Sequence, residues 1–197
     1  IFLDQQGFEL VQAPTKMGPG ADFYSRETVR RVYLPECEEV DTSEMNDWRF
    51  PVGTRFFKEF AVDGARIETR LIERIGEGPR DFVYASYQWD ETETEATRVD
   101  EAGLADAGGT DHDIPSKSDC LRCHGSYERG GGRPSRALGF SALQLSHEDS
   151  DLTLNDLTEA QRLSDPPDAA FEVPGDAVTV AALGTLHANC GNCHNDT

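Results

Sequence analysis

Four segments in the first half of the chain alternate apolar and polar positions with a period of two, which is typical of β-strands. These segments span residues 27–34, 54–62, 66–75 and 82–89. Asp63-Gly64, between the second and third segments, is a strong signal for a tight hairpin. A longer loop at residues 76–79 precedes the fourth segment. Because such short connections cannot cross over to join parallel strands, the pattern predicts an antiparallel meander.

The second half of the chain has helical patterns instead. Helices are predicted over residues 141–148 and 153–164, and Pro166-Pro167 ends the second of them. Ser116 or Ser118 can cap a short helix further upstream, and Asp176 can cap a last helix near the end of the chain.

The change of pattern divides the chain into a β-rich region, residues 1–105, and a mostly helical region, residues 106–197. Residues 90–113 are acidic and rich in Gly and Ala, so we expect them to be a solvated excursion between the two. The predicted fold class is α+β, with an antiparallel β-meander packed against short helices.

The net charge of the chain limits the kinds of molecule that it is expected to bind. The 197 residues include 37 acidic and 18 basic side chains, a formal net charge of −19. A field of this sign repels nucleic acid and anionic membranes, and it favours partner proteins with basic patches. The sequence also has no apolar run long enough to span a bilayer, so we expect no nucleic-acid partner and no transmembrane segment.

One short pattern occurs twice in the helical region. Residues 120–124 read Cys-Leu-Arg-Cys-His and residues 190–194 read Cys-Gly-Asn-Cys-His. C-x-x-C-H is the attachment signature of a c-type haem, in which two thiols bind the macrocycle and the adjacent histidine ligates the iron. The sequence therefore predicts two covalent haems, so that the short helices are haem-bearing. The predicted cofactor-binding residues are Cys120, Cys123, Cys190 and Cys193, and the predicted iron ligands are His124 and His194.

Two other interpretations of these cysteines are weaker. The two halves of a zinc ribbon usually lie about 15–20 residues apart, whereas 66 residues separate Cys123 from Cys190. A disulfide between neighbouring thiols would leave the repeated histidine unexplained. The fifth cysteine, Cys37, is expected to be a small buried side chain rather than half of an intermolecular disulfide.

Haem is attached covalently outside the cytoplasm, so the two motifs predict an exported protein, periplasmic or extracellular. Because the printed sequence begins with Ile1 rather than Met, we expect that a signal peptide has been removed.

Two six-coordinate irons need two further ligands. On a continuous helix, Cys190 and His194 follow His187 by three and seven residues. All three side chains would then lie on the same face of the helix, the one that faces the haem. His187 cannot reach the far side of its own haem from there, but it could ligate the other haem or bind a propionate.

His147 is the next candidate for a distal ligand, with a surface position as the alternative. His112 lies between two aspartates and is expected to be solvated. Met17 and Met45 lie in loop-like sequence and are less favoured as ligands.

Residues 31–36 (Arg-Val-Tyr-Leu-Pro-Glu), residues 50–54 (Phe-Pro-Val-Gly-Thr) and Lys58-Glu59 precede the first haem motif. Through this pattern the chain, over about residues 27–124, resembles the P-460-type cytochromes and their cytochrome c′-beta relatives. The resemblance implies a curved antiparallel sheet over one c-type haem. In the enzymatic members it also implies oxidation of hydroxylamine by a haem cross-linked to a strand lysine.

Lys58 matches that lysine by motif, and the resemblance therefore makes it a candidate cofactor-binding residue. From the residues alone, Lys58 alternates with Phe56 and Phe60 on one strand face. A lysine there can also lay its stem along the face and keep its ammonium in water, and we favour this simpler role.

The second half of the chain resembles a different group of proteins. Its matching residues are Ile114-Pro115-Ser116, Leu138-Gly139-Phe140 with Gln144-Leu145, and Leu186-His187-Ala188-Asn189. Residues 114–197 thereby resemble a group of exported dihaem proteins, which implies haem carriage rather than one particular reaction. The second motif departs from the single-haem P-460 pattern.

The function expected from these observations is single-electron transfer by a dihaem c-type cytochrome, with no catalytic residue. Its partners would be redox proteins or further copies of the chain in a haem-stacking assembly. The rival expectation is an enzyme of the P-460 type that oxidises a small nitrogen compound, with the second haem as the electron exit. A gas sensor is a weaker third possibility.

Overall fold

The structure is a computed structural model, and the fold is described for six stretches of the chain. These stretches are residues 11–13, 28–45, 47–125, 135–146, 152–169 and 171–191.

A single antiparallel sheet of six strands, in the order β1-β2-β3-β4-β5-β6, forms the centre of the described fold. Its strands are β1 (Val11–Ala13), β2 (Thr28–Tyr33), β3 (Arg55–Val62), β4 (Ala65–Arg74), β5 (Phe82–Trp89) and β6 (Ala96–Arg98). The four long strands agree with the prediction to within one residue at each end, and the antiparallel meander is confirmed. The three-residue strands β1 and β6 were not predicted.

Turn chemistry fixes the register of the central hairpin. Asp63 and Gly64, between β3 and β4, have φ values of 52° and 82°. Positive φ at both central residues is the requirement of a type I′ turn, whose twist matches the twist of the strands that it joins. Further along the hairpin, Phe60 pairs with Glu68 and Ala61 with Arg66, so Ile67 is an extra residue without a partner on β3.

Four short α-helices lie in the second half of the chain, so the α+β class is confirmed. They are α1 (Lys117–His124), α2 (Ala142–Leu145), α3 (Leu154–Glu159) and α4 (Ala177–Leu186), and a π-turn (His187–Gly191) continues α4. No helix in the described stretches is both long and apolar enough to cross a bilayer.

The main core draws on residues from both regions of the chain. Its buried side chains are Val32, Val40, Trp48, Phe50, Phe140, Ala142, Leu145, Leu152, Leu154, Leu157 and Leu163. Phe50, Phe56 and Phe140 meet edge to face, with ring centroids 4.8–6.2 Å apart. A smaller cluster of Ile67, Ala107 and Ile114 lies beside the other end of β4.

Three predictions about secondary structure and burial were wrong. Residues 90–113 are not simply a solvated excursion, since they contain β6, a 3₁₀ turn (Ala107–Gly109) and a buried histidine. Cys37 is exposed rather than buried, in a tight turn where its φ is 59°. Helix α3 ends at Glu159 rather than 164, because Leu163 leaves the helix to pair in parallel with Val40.

Helix α2 is also shorter than predicted, ending at Leu145. The rest of its predicted range, residues 147 and 148, lies outside the described residues.

Leu145, with no solvent exposure, tests the main core. Leu145→Ala is expected to lower the free energy of unfolding by about 2–5 kcal/mol, because it removes buried apolar contacts and leaves a cavity. The matched control is Leu104→Ala at a side chain that is 39% exposed, where a change of about 0.5 kcal/mol or less is expected. Denaturant unfolding of both variants measures the difference, and equal losses would contradict the assignment of this core.

Candidate haem sites

Helix α1 carries the whole first motif. Its N-cap is Ser116, whose hydroxyl accepts a hydrogen bond from the backbone N–H of Asp119, while the Asp119 carboxylate accepts one from the N–H of Ser116. This reciprocal capping box selects Ser116 over Ser118 as the cap. Cys120 and Cys123 are three residues apart on the helix and therefore lie on neighbouring positions of its surface.

The described cysteines of the two motifs are free thiols. Cys120 is half-buried, Cys123 is exposed, and Cys190 at the start of the second motif is exposed. Burial raises the pKa of Cys120, partly offset by the charge of Arg70. Within the described stretches, no group of three or more His, Cys, Asp or Glu side chains could hold a metal ion by itself.

His124 is held in the tautomer that iron ligation requires. Its Nδ1 lies 3.2 Å from the carbonyl oxygen of Arg136. Because a carbonyl oxygen can only accept a hydrogen bond, Nδ1 must carry the proton. The lone pair is then on Nε2, the atom left available to a metal. Burial lowers the pKa of His124, and the neighbouring charges of Lys58, Arg70 and Arg136 lower it further, so the neutral ring is favoured. The residues at this motif therefore fit a c-type haem.

A side chain of strand β5 holds the backbone of His124 in place. The Tyr84 hydroxyl donates a hydrogen bond to the carbonyl oxygen of His124 at 3.1 Å, and the two ring centroids are 6.1 Å apart. Burial raises the pKa of Tyr84, which keeps its hydroxyl protonated and able to donate. The C-terminal end of α1 is thus attached directly to the sheet.

Lys58 lies on the sheet face that serves this motif. Its Nζ is 4.7 Å from the ring centroid of Phe60, and its charge acts on His124. The contact agrees with the predicted alternation that puts these two side chains on one face of β3. Lys58 is half-buried, as expected for a side chain whose stem follows an apolar surface.

The prediction of a solvated His112 was wrong. The side chain is 2% exposed, and its Nε2 lies 2.8 Å from Oε2 of Glu68. The signal was present in the sequence, because Asp111 and Asp113 are exposed while His112 and Ile114 are buried, a period of two. The flanking aspartates hid that alternation.

The structure also brings together residues that no pattern in the sequence had indicated. Glu68, which is fully buried, and Arg70, which is half-buried, form an ion pair on β4 near the first motif, and the carbonyl of Arg136 accepts a hydrogen bond from His124. Glu68 and Arg70 belong to a run of alternating charges that resembles a solvent-facing strand. The contact with Arg136 is through its backbone, so no side-chain pattern could reveal it.

A cavity of about 650 Å³ opens beside the same segment. Its lining includes Trp48, Arg74, Phe82 and Arg136. The volume is within the range of small-molecule and cofactor sites. Arg136 therefore both lines this cavity and contacts His124 of the first motif.

The second motif begins at the end of α4. Asp176 caps that helix, as predicted, by accepting a hydrogen bond from the N–H of Thr179. His187 and Cys190 lie in the π-turn, so the stripe predicted for a continuous α-helix does not extend through them. His187 is half-buried, and burial lowers its pKa. Cys193, His194, His147 and Met17 lie outside the described residues.

Helix α4 has an unusual surface. Residues 177–188 contain no acidic or basic side chain apart from His187, in a chain of which 28% is charged. Val178, Leu183 and Leu186 are exposed. Among the described elements, the substantial contact of α4 is with its own π-turn. The second motif is thus carried on an uncharged apolar helix.

The chain matches no protein-family model, and no curated protein or solved structure is detectably similar to it.

The capping box of α1 predicts a pH-dependent contribution to stability. The hydrogen bond from Ser116 holds the pKa of Asp119 below its usual range. A carboxyl group with a lowered pKa in the folded state stabilises the fold above its unfolded pKa, and this stabilisation is lost as the pH falls through the folded value. Asp119→Asn is therefore expected to be less stable than the parent protein at neutral pH, and the difference should shrink in acid.

Thermal unfolding between neutral and acidic pH measures this effect. Asp168→Asn, at an exposed aspartate outside α1, is the control and should show no such trend. A difference between Asp119→Asn and the parent that stays constant across the pH range would contradict the role of the cap.

Proposed function

We propose that the chain is a dihaem c-type cytochrome that transfers single electrons outside the cytoplasm. The observation that carries the proposal is the setting of His124, which has Nδ1 engaged by a backbone carbonyl and Nε2 left to a metal, next to two free thiols. A zinc ribbon or a disulfide would not require this histidine arrangement. The second copy of the motif extends the proposal to two haems.

Each haem, when bound, supplies an iron that gains and loses one electron. At the first site, residues of the chain would attach the cofactor and orient its ligand. Cys120 and Cys123 would hold the cofactor and His124 would ligate it, while the contacts of Tyr84 and Arg136 keep His124 oriented. Such fixed orientation limits reorganisation when the charge changes.

At the second site Cys190, Cys193 and His194 have the corresponding roles. We propose His187 and His147 as the candidates for the distal positions, on the residue types that haem iron accepts. The half-buried ring of His187, with its lowered pKa, supports a neutral imidazole that is able to ligate.

Charge and surface suggest the partners. The net charge of −19 favours redox proteins with basic patches. The surface of α4 carries no charged side chain and so adds no like-charge repulsion between two copies, which supports a homo-oligomer or a haem-stacking filament. Covalent haem supports a periplasmic or extracellular location.

One observation favours a second candidate function. Lys58 faces the first motif closely enough for its charge to act on His124. This proximity supports the role that the resemblance to P-460-type enzymes implies for Lys58, a cross-link to the haem. In that case the first iron would keep an open position for a small nitrogen compound such as hydroxylamine, and the second haem would carry the electrons away.

Mass and absorption spectra test the main proposal. The full chain, produced with haem-attachment machinery, is expected to exceed the polypeptide mass by two haem groups and to show low-spin spectra that carbon monoxide does not change. The double variant Cys190→Ser/Cys193→Ser should carry one haem, because both thioether bonds of the second site are removed. Cys37→Ser is the control, since this exposed thiol lies outside both motifs, and it should keep two haems.

A colourless protein with the bare polypeptide mass would contradict the dihaem proposal. Carbon monoxide binding at the first haem would contradict simple electron transfer and favour the second candidate.

Lys58→Arg separates the two candidate functions. The change keeps the positive charge but removes the primary amine, so the main proposal expects an unchanged absorption spectrum. Lys117→Arg is the matched control at a lysine on α1 that pairs with Glu101. If the parent protein has a red-shifted ferrous Soret band that only Lys58→Arg abolishes, the lysine is cross-linked and the enzyme is the better assignment.

A further inference from the structure

Glu68 is the centre of a buried polar network on β4. Its side chain has no solvent exposure, and both of its oxygens are paired with Arg70, at 2.7 Å to Nε and 2.9 Å to Nη2. Oε2 also lies 2.8 Å from Nε2 of His112. A buried carboxylate is tolerated only when such partners replace its lost hydration.

Phe60 on β3 holds the network together. The guanidinium of Arg70 lies 4.1 Å from its ring centroid, and the His112 ring centroid lies 5.3 Å away. Cation–π and ring contacts of this kind add to the ion pair and restrict the side chains to one arrangement. If Arg70 moved away, the buried carboxylate of Glu68 would keep only its contact with His112.

The network presents its positive end to the first haem motif. Arg70 pairs across the sheet with Lys58, on the face that serves His124. Arg70 also pairs in register with Ser86 on β5, two residues from Tyr84, whose hydroxyl donates a hydrogen bond to the carbonyl oxygen of His124. The charge of Arg70 also lowers the pKa of Cys120, against a smaller opposing effect of Glu68.

We propose that Glu68 and His112 are positioning residues that fix Arg70 as a local positive charge beside the first haem and thereby raise its reduction potential. The inference rests on the proposed function, because it needs a haem at the first motif. It gives this network a role beyond folding.

The physical reason is the charge change on reduction. The iron gains one electron, so a positive charge nearby stabilises the reduced form, and the effect is larger in a buried, low-dielectric setting than at the surface. The chain's net charge of −19 acts in the opposite direction. A half-buried cation held in place by a fully buried carboxylate is therefore the local means of keeping the first haem easy to reduce.

Redox titration of the full dihaem protein tests the inference. Arg70→Met is expected to make reduction of the first haem at least tenfold less favourable, a fall of about 59 mV for a one-electron couple. The second haem is the internal reference, and the single-haem variant Cys190→Ser/Cys193→Ser identifies which potential belongs to the first.

The matched control is Arg55→Met. Arg55 pairs with Glu73 at 2.9 Å between the same two strands, and strand alternation puts it on the other face of the sheet from Lys58. Its replacement should leave both potentials unchanged. A shift as large as that of Arg70→Met would overturn the inference, because the effect would then not depend on the face.

Two further variants cover the case in which Arg70→Met does not fold. Glu68→Gln/Arg70→Met removes both charges, so no unpaired carboxylate remains buried, and the potential of the first haem should still fall because Arg70 acts more strongly than Glu68. His112→Leu should lower the potential too, by loosening the carboxylate that holds Arg70. Thermal unfolding, measured alongside, separates these shifts from loss of structure.

The outcomes distinguish this inference from the proposed function. Two haems by mass, with a first potential that neither the double variant nor His112→Leu changes, would overturn the positioning role and leave the dihaem cytochrome intact. Absence of haem from the matured protein would remove the proposed function itself.

Discussion

The carboxylate of Glu68 is the constraint around which this side of the molecule is arranged. A charge with no solvent exposure costs several kcal/mol unless its partners are placed well. One partner, Arg70, is two residues away on the same strand, but the other, His112, is 44 residues further along the chain. The loop from Leu104 to Ile114 must therefore close over the sheet. Because that loop leads directly into the cap of α1, the position of the first haem motif follows from it.

The two motifs lie in different surroundings. The first is connected to the sheet at both ends, by the loop before Ser116 and by the contacts of Tyr84 and Arg136 with His124. The second begins on an apolar helix whose main described contact is with its own continuation. The first signature thus lies beside fixed cations, whereas the described start of the second signature lies beside an uncharged surface. In the proposed dihaem protein, such a difference would separate the reduction potentials of the two haems.

Local signals made the sheet predictable from the sequence. Alternation along each strand and the Asp63-Gly64 turn are short-range features, and the strand bounds were therefore correct to within one residue. The predicted haem ligands of the first motif also come from a local pattern, because the prediction depends on their spacing alone, and they stay a prediction. What the sequence could not reveal was pairing over long distances. The burial of Glu68, the partner of His112 and the early end of α3 all depend on residues far away in the chain.

The extra residue at Ile67 separates the pairing of the hairpin from the packing of its cover. Its side chain packs with Ala107 and Ile114, yet it has no partner on β3, and Glu68 already pairs with Phe60 beyond it. Removing this single residue would leave every other pairing of the hairpin in place but would take away one contact of the loop from Leu104 to Ile114, for which the contact between Glu68 and His112 is another. The length of β4, and not only its side chains, therefore determines how this loop is held.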